Sequence, residues 1–272
     1  MDDHYQAYVN RVVRITLPET YESQLQHIQE SPKFKLTGAG GDRQPVPFPG
    51  YTIITPTWED ESNNAHFYTN LKDYQHQLLQ QLTPGLVVPV PPESFHLTVA
   101  DLIWDSGYRH AMENPEFEPR LRERIAQIFQ QCKSLMVSDH PIRLQLLGIV
   151  VMPRAIGVCL APKEESSYER LSEFRRAIYQ DADLVALGIE QQYHFTAHVT
   201  LGYFGDVPAN LNQEPVPGEA SLASRLSQTL TELNHRWLES EPQELYVHRA
   251  ELRKFEDMTR YFREPDWATI DF

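Results

Sequence analysis

The sequence predicts an α+β fold in which two curved, mainly antiparallel sheets flank a central cleft and helices pack outside them. Runs of strand length, rich in β-branched and apolar residues, alternate along the chain with amphipathic runs of helix length. Two of the strand-like runs, each following a helix-like one, carry the same pattern of a His, one apolar residue and a Thr: Phe95-His96-Leu97-Thr98-Val99 and Ala197-His198-Val199-Thr200-Leu201. Between them, residues 142–151 and 155–160 are apolar runs joined by Met152-Pro153-Arg154, the mark of a hairpin of buried strands.

Taken in order, Tyr5, Tyr8, Val9, Val12 and Val13 have helical spacing, Pro18 interrupts, and Tyr21, Leu25 and Ile28 give a second short helix. Residues 1–35 are therefore read as a helical extension, and 36–272 as one bilobal domain. Residues 38–50, with Gly40, Gly41, Pro45, Pro47 and Pro49, are loop by composition. A phosphate-cradling loop is not indicated there, because prolines follow the glycines in place of Lys-Ser or Lys-Thr and a helix. Tyr51-Thr52-Ile53-Ile54-Thr55 reads as the first strand, residues 66–82 as a helix ended by Thr83-Pro84-Gly85, and 95–104 as the first His strand. A helix over 117–132 places Leu121, Ile125, Ile128 and Phe129 on one face. After the hairpin, a helix over 167–187 stops at Gly188, a C-cap, and the second His strand covers 195–204. A Pro-rich loop over 207–218, a helix ending near Trp237, a strand over 244–252 and an apolar stretch near Tyr261 complete the order.

Composition narrows the function. The 272 residues, 41% hydrophobic and 23% charged, suffice for one large domain or two closely joined lobes. A formal charge of −14 argues against gripping a long duplex, which needs a broad basic face, yet allows a small phosphate ligand in a locally positive pocket. Cys132 and Cys159 cannot build a disulfide framework. The chain shows no signal-peptide pattern and no apolar run near the ~20 residues that span a bilayer. A cytoplasmic protein with no membrane contact is the expectation.

Side chains alternate faces along a strand, so His96 and Thr98 share one face, as do His198 and Thr200, while Leu97, Val99, Val199 and Leu201 enter the core. With 11 His in the chain, chance supplies roughly half a His-x-Thr match, so the information lies in the duplication and the equivalent placement. A third match, His194-Phe195-Thr196, overlaps the second; four residues along a strand span about 13 Å, so His194 and His198 cannot both sit at one reacting atom. The same spacing disfavours a zinc site, since His-x-x-x-His chelates on a helix and this segment is rich in strand formers. No metal or other cofactor is expected.

These motifs, with the strand pair around Leu144–Leu147 and Ala155–Leu160 and the pair Leu201-Gly202 close behind the second motif, resemble the 2H phosphoesterase superfamily, which includes 2′-5′ RNA ligase-like proteins and cyclic nucleotide phosphodiesterases. The resemblance runs from about residue 51 to the C-terminus and favours His198 over His194 as the motif histidine. It implies metal-independent hydrolysis of a small cyclic nucleotide, or of an RNA or oligonucleotide end with a 2′,3′-cyclic or 2′-5′ linkage. His96 and His198 then serve as base and acid in an order the sequence leaves open, and Thr98 and Thr200 bind the phosphoryl oxygens. A nucleotide- or RNA-end-binding module without turnover, and RNA end-joining, are the alternatives. Further candidates for substrate contact are His194, Tyr51 by stacking on a base, and Arg154 and Arg43 by meeting a phosphate. Tyr203, an odd number of positions from His198, is expected to face the core.

Overall fold

Two helices open the chain. In α1 (Tyr5–Ile15) the His4 side chain caps the first turn by accepting from the Ala7 amide, and α2 (Pro18–Leu25) starts on a proline whose missing amide costs nothing there. Tyr8, Val12, Tyr21 and Leu25 are buried against the body of the protein. The computed structural model describes residues 2–37, 42–61, 63–136, 141–211, 220–240 and 243–272. The Gly-rich centre of the predicted loop at 38–50 and most of the Pro-rich loop at 207–218 lie outside the described residues. On either side of the former, β1 (Phe34–Leu36) and β2 (Arg43–Pro45) pair antiparallel, β1 where the helical extension was expected to end and β2 within the expected loop.

The wholly buried β3 (Gly50–Ile54) is followed by α3 (Ala65–Gln81), a short β4 (Val87–Pro89) and a single 3-10 turn over Pro92–Ser94, which leads into β5 (Thr98–Trp104). The helices α4 (Asp105–Ala111) and α5 (Phe117–Met136) precede the hairpin of β6 (Ile142–Val151) and β7 (Ala155–Pro162). The single helix expected over 167–187 is two, α6 (Glu165–Tyr179) and α7 (Ala182–Ala186). Asp181 makes the break: its carboxylate accepts from the Asp183 and Leu184 amides, starting a new helix at the price of the old one. Gly188, at φ +83°, takes the left-handed conformation that ends α7. Next come β8 (His198–Phe204) and α8 (Leu222–Glu239). The strand expected over 244–252 is also two, β9 (Glu244–Val247) and β10 (Arg249–Asp257), parted at His248; β11 (Arg260–Phe262) and β12 (Thr269–Asp271) finish the chain.

The two larger sheets are antiparallel throughout. One has the order β11-β10-β3-β5, with β12 also on β10; the other runs β4-β8-β7-β6-β9. This is the expected α+β architecture, one His strand in each sheet. The helices pack on the outer faces: α1 on β6 and β7, α8 on β6, and α6 on both β5 and β7, so that α6 ties the backs of the two sheets together. A single contiguous core runs through both sheets and the N-terminal helices.

At the pairing of β7 with β8 the chains approach closely at Gly157, opposite Thr200. A methyl group built on Gly157 collides with the Val199 carbonyl and crowds the Thr200 backbone. Gly157→Ala is expected to lower the unfolding free energy by about 1–3 kcal/mol, measured by urea denaturation, because two backbones must part to admit it.

Candidate active site

The alternation expected of both motifs is present: His96, Thr98, His198 and Thr200 are half-buried, whereas Leu97, Val99, Val199 and Leu201 are sealed in the core. Each imidazole is held in the same way. His96 Nδ1 lies 2.7 Å from the Ser94 carbonyl oxygen, and His198 Nδ1 lies 2.7 Å from that of Thr196. A carbonyl only accepts, so both Nδ1 atoms must carry hydrogen, and in the neutral ring the lone pair is left on Nε2. The carbonyl in each case belongs to the residue two positions earlier, so the geometry is local and occurs twice.

His96 rests against the Tyr261 ring, with centroids 4.3 Å apart. Burial pushes its pKa down from the ordinary imidazole value to about 4; the bond to Ser94 opposes this, and the charges of His198 and Arg253 add to it. The coupling of His96 to His198 puts the two motifs within electrostatic reach of each other. Arg253 is itself buried, bound to Glu251 at 2.6 Å and Asp60 at 2.8 Å, and donates to the Tyr261 carbonyl at 3.2 Å, thereby supporting the ring beneath His96.

Neither motif strand keeps a regular two-residue period beyond its Thr. In β5 the register against β3 slips between Ile53 and Ile54, so that Ala100 and Thr98 pair with adjacent residues and Val99 is extra, and it slips again between Tyr51 and Thr52, leaving Leu102 extra beyond Asp101. In β8 the register against β7 slips between Ile156 and Gly157, leaving Leu201 extra. A bulge of this kind shifts the side chains that follow it, up to any further slip, to the opposite face. The consequence is that Asp101 and Tyr203, each five residues after a motif histidine, join the motif face: Asp101 is exposed and Tyr203 half-buried, between core neighbours. The expectation that Tyr203 faces the core is thus corrected, the bulge being the reason.

Around these two gather groups the sequence did not single out. The Lys33 ammonium lies 4.9 Å from the centre of the Tyr203 ring and 4.6 Å from that of Phe48. Burial lowers the Lys33 pKa to about 8, with Asp101 opposing and the charge of Arg154 assisting. Although the Asp101 side chain reaches solvent, the protein groups packed around its carboxylate displace water from it and raise its pKa, while His198, Lys33 and Arg175 hold it back. Phe34, Phe255 and Met258 form a small separate apolar cluster that Tyr203, Tyr261 and Trp104 pack against. Among the described residues, the hydroxyls of Thr98 and Thr200, the Asp101 carboxylate, and the cationic groups of Lys33 and Arg154 have no hydrogen bond or ion pair within the protein. Groups left uncommitted in this way are free to meet a ligand. Asp101 had one legible sign, a charge inside the apolar run Val99-Ala100-Asp101-Leu102-Ile103; Lys33 had none.

The other sequence candidates fare differently. Arg154, exposed in the β6–β7 turn, acts electrostatically on Lys33 and so lies near the same group. Tyr51 is fully buried among Tyr108, Trp267 and Lys254, with no face open to a base, because β3 is covered on both sides. Arg43 is committed to Glu30 at 2.6 Å and Asp206 at 2.7 Å, which neutralise it. His194 is exposed, 3.8 Å from Asp3, and the Thr196 hydroxyl accepts from Arg11 at 2.6 Å, so the third motif is occupied by the N-terminal segment. A separate groove of about 630 Å³, lined by Met112, Pro119, Arg122 and Trp267 among others, shares no residue with the His motifs. Among the described residues no group of three or more His, Cys, Asp or Glu is placed to hold a metal, and no helix is long and apolar enough to cross a membrane.

Residues 40–150 match the family 2H-phosphodiest, described as a domain of unknown function (DUF1868). No curated protein matches the sequence. Solved structures align along most of the chain. A conserved protein of unknown function from Agrobacterium tumefaciens aligns at 13% identity, over 90% of this chain and 96% of that one, with a TM-score of 0.56, a likeness of fold. E. coli LigT complexed with 3′-AMP aligns at 13% identity over 81% and 98%, TM-score 0.38, and Kluyveromyces marxianus Usb1 with uridine monophosphate at 14% over 83% and 98%, TM-score 0.43.

The depressed pKa of His96 makes folding pH-dependent. Between about pH 6.5, where an unfolded imidazole titrates, and about pH 4, the folded value, the unfolded chain binds the extra proton. Stability therefore falls as the pH drops through that window. Urea denaturation at several pH values is expected to show the fall in the wild type and a smaller one in His96→Gln.

Proposed function

We propose that this chain, which belongs to the 2H phosphoesterase superfamily, is a metal-independent phosphodiesterase that hydrolyses a small cyclic nucleotide or an RNA or oligonucleotide end with a 2′,3′-cyclic or 2′-5′ linkage. The observation that carries this reading is the paired clamp: two imidazoles, each fixed through Nδ1 to a carbonyl and each with a free Thr hydroxyl two residues on. Opening a phosphodiester needs one group to take a proton, another to give one, and donors for the charge that grows on the non-bridging oxygens.

His96 is the base. Its pKa of about 4 keeps Nε2 unprotonated at neutral pH. Its Nε2 removes a proton from water as the water oxygen bonds to phosphorus; the bond from phosphorus to the ribose oxygen breaks, and the protonated His198 supplies the proton that oxygen needs. With His96 as the base, His198 is the second motif imidazole and takes the complementary acid role. The product is a phosphomonoester with a free neighbouring hydroxyl, and solvent restores both rings. Thr98 and Thr200 donate to the phosphoryl oxygens, while Lys33 and Arg154 give an otherwise acidic protein a locally positive rim.

Purified protein in excess EDTA is expected to hydrolyse 2′,3′-cyclic nucleotides or 2′-5′ dinucleotides, and His96→Ala or His198→Ala to abolish turnover. Thr98→Val and Thr200→Val should each lower kcat by roughly a hundredfold to a thousandfold. Undiminished hydrolysis in either His variant would remove the mechanism. Tight nucleotide binding without turnover in the wild type would instead identify a binding module. For a substrate whose own groups do not titrate, the acidic limb of kcat/KM is expected near the pKa of about 4 assigned to His96.

A further inference from the structure

The two clamps differ in what holds the carbonyl. On the His96 side the support is local: Pro92–Ser94 forms a 3-10 turn, the Ser94 amide and hydroxyl both donate to the Pro91 carbonyl, at 2.9 and 2.7 Å, and the Phe95 amide donates to Pro92 at 3.0 Å. The carbonyl of Ser94 cannot turn without undoing that turn.

On the His198 side there is no such turn. Residues 191–197 have no helix or strand of their own, and their backbone groups are met from elsewhere. The Arg11 guanidinium on α1 donates to the Phe195 carbonyl and to the Thr196 hydroxyl, each at 2.6 Å. The Ala197 amide donates to the Tyr8 hydroxyl at 3.3 Å, also on α1. Ahead of the helix, the Asp2 carboxylate accepts from the Phe195 amide at 2.8 Å and from Gln191 at 2.7 Å. These bonds bracket the Thr196 carbonyl, the one that accepts from His198 Nδ1. Asp3 aligns Arg11 in turn, at 3.0 Å from its Nε. The buried Arg175 on α6 joins Asp2 at 2.6 Å and also donates to the Val99 carbonyl, at the bulge of the first motif strand.

We infer that Arg11 is a positioning residue for His198: by gripping residues 195 and 196 it holds the Thr196 carbonyl where it fixes the Nδ1–H tautomer and aims Nε2 at the substrate. The N-terminal helix is then part of the reaction centre's support, not an appendage, and the overlapping His194-Phe195-Thr196 motif has a role, its Thr serving as a handle for Arg11. A planar, two-pronged guanidinium suits this task, because it binds two acceptors on consecutive residues at once.

This assignment rests on the phosphodiesterase reading for its kinetic consequence but not for its structural one, so the test reads both. The full chain is labelled with ¹⁵N at histidine, and long-range ¹⁵N–¹H spectra recorded at a pH where the rings are neutral report the tautomer of each; His96, whose Ser94 clamp Arg11 does not touch, is the internal control. In Arg11→Ala, His198 is expected to move from the Nδ1–H form to a mixture of tautomers while His96 is unchanged. With a 2′,3′-cyclic nucleotide, kcat should fall about tenfold to a hundredfold with KM little altered, as for a displaced catalytic group. Arg11→Lys, which keeps a single-pronged donor, should recover part of the loss. Thr196→Val removes one handle at nearly constant shape and decides the matter if Arg11→Ala does not fold. A folded variant with an unaltered His198 spectrum overturns the inference, and so does an equal change at both histidines, which would mark general loosening. If no substrate is turned over, the spectra alone decide it, and only the phosphodiesterase reading fails.

Discussion

A strand offers only every second side chain to a given surface, and the candidate site is shaped by how the chain first obeys and then breaks that limit. From His96 to Thr98 and from His198 to Thr200 the period holds, so polar groups face out while Leu97, Val99, Val199 and Leu201 build the core behind them. One extra residue directly after each Thr segment then reverses the phase, and Asp101 and Tyr203 join the polar face, a second slip in β5 following Asp101. Without these slips Asp101 would be a carboxylate driven into the dry interior, at a large desolvation cost. The bulges thus reconcile a charged group with an apolar strand and enlarge the set of groups a ligand can meet.

The duplicated arrangement is mechanical as well as chemical. Each imidazole is oriented by the backbone carbonyl two residues before it, in the segment leading into its strand. Bringing the halves together falls to longer-range contacts, above all α6, which packs on β5 and β7 and carries Arg175 between the two motif segments. The Arg175–Asp2 pair is almost fully buried, and its worth lies in defining where both segments sit, since a buried ion pair adds little net stability of its own.

How much of this the sequence disclosed depended on the range of the interaction. Period-two alternation, helix caps and breakers act over a few residues, so the fold class, the face shared by His96 and Thr98, and the Gly188 cap could be read directly. Asp181 ended a helix early through a side-chain cap that competes with helical continuation, a local effect masked by the apolar spacing around it. Tyr51 misled because a strand covered on both faces carries the same residue types as one with an open face. Arg43 misled because its two carboxylate partners, Glu30 and Asp206, are named only by the tertiary structure. Bulges at Val99 and Leu201 are decided by the register of a neighbouring strand, so the direction of Asp101 and Tyr203 was out of reach, as was the approach of Lys33 from the N-terminal hairpin.

One peptide junction bears on how the two lobes can move. At His248 the chain leaves one sheet and enters the other: Val247 is paired with Ile142 in the first, Arg249 with Asp271 in the second. Two consecutive Cα steps are about 7.6 Å at full stretch, so at this point the sheets are tethered by an almost inextensible link. The His248 carbonyl, moreover, accepts from the Phe272 amide. Such a tether fixes the distance between the two sheets at this seam while leaving their relative angle free, so the spacing of the sheets is set most tightly where His248 joins them.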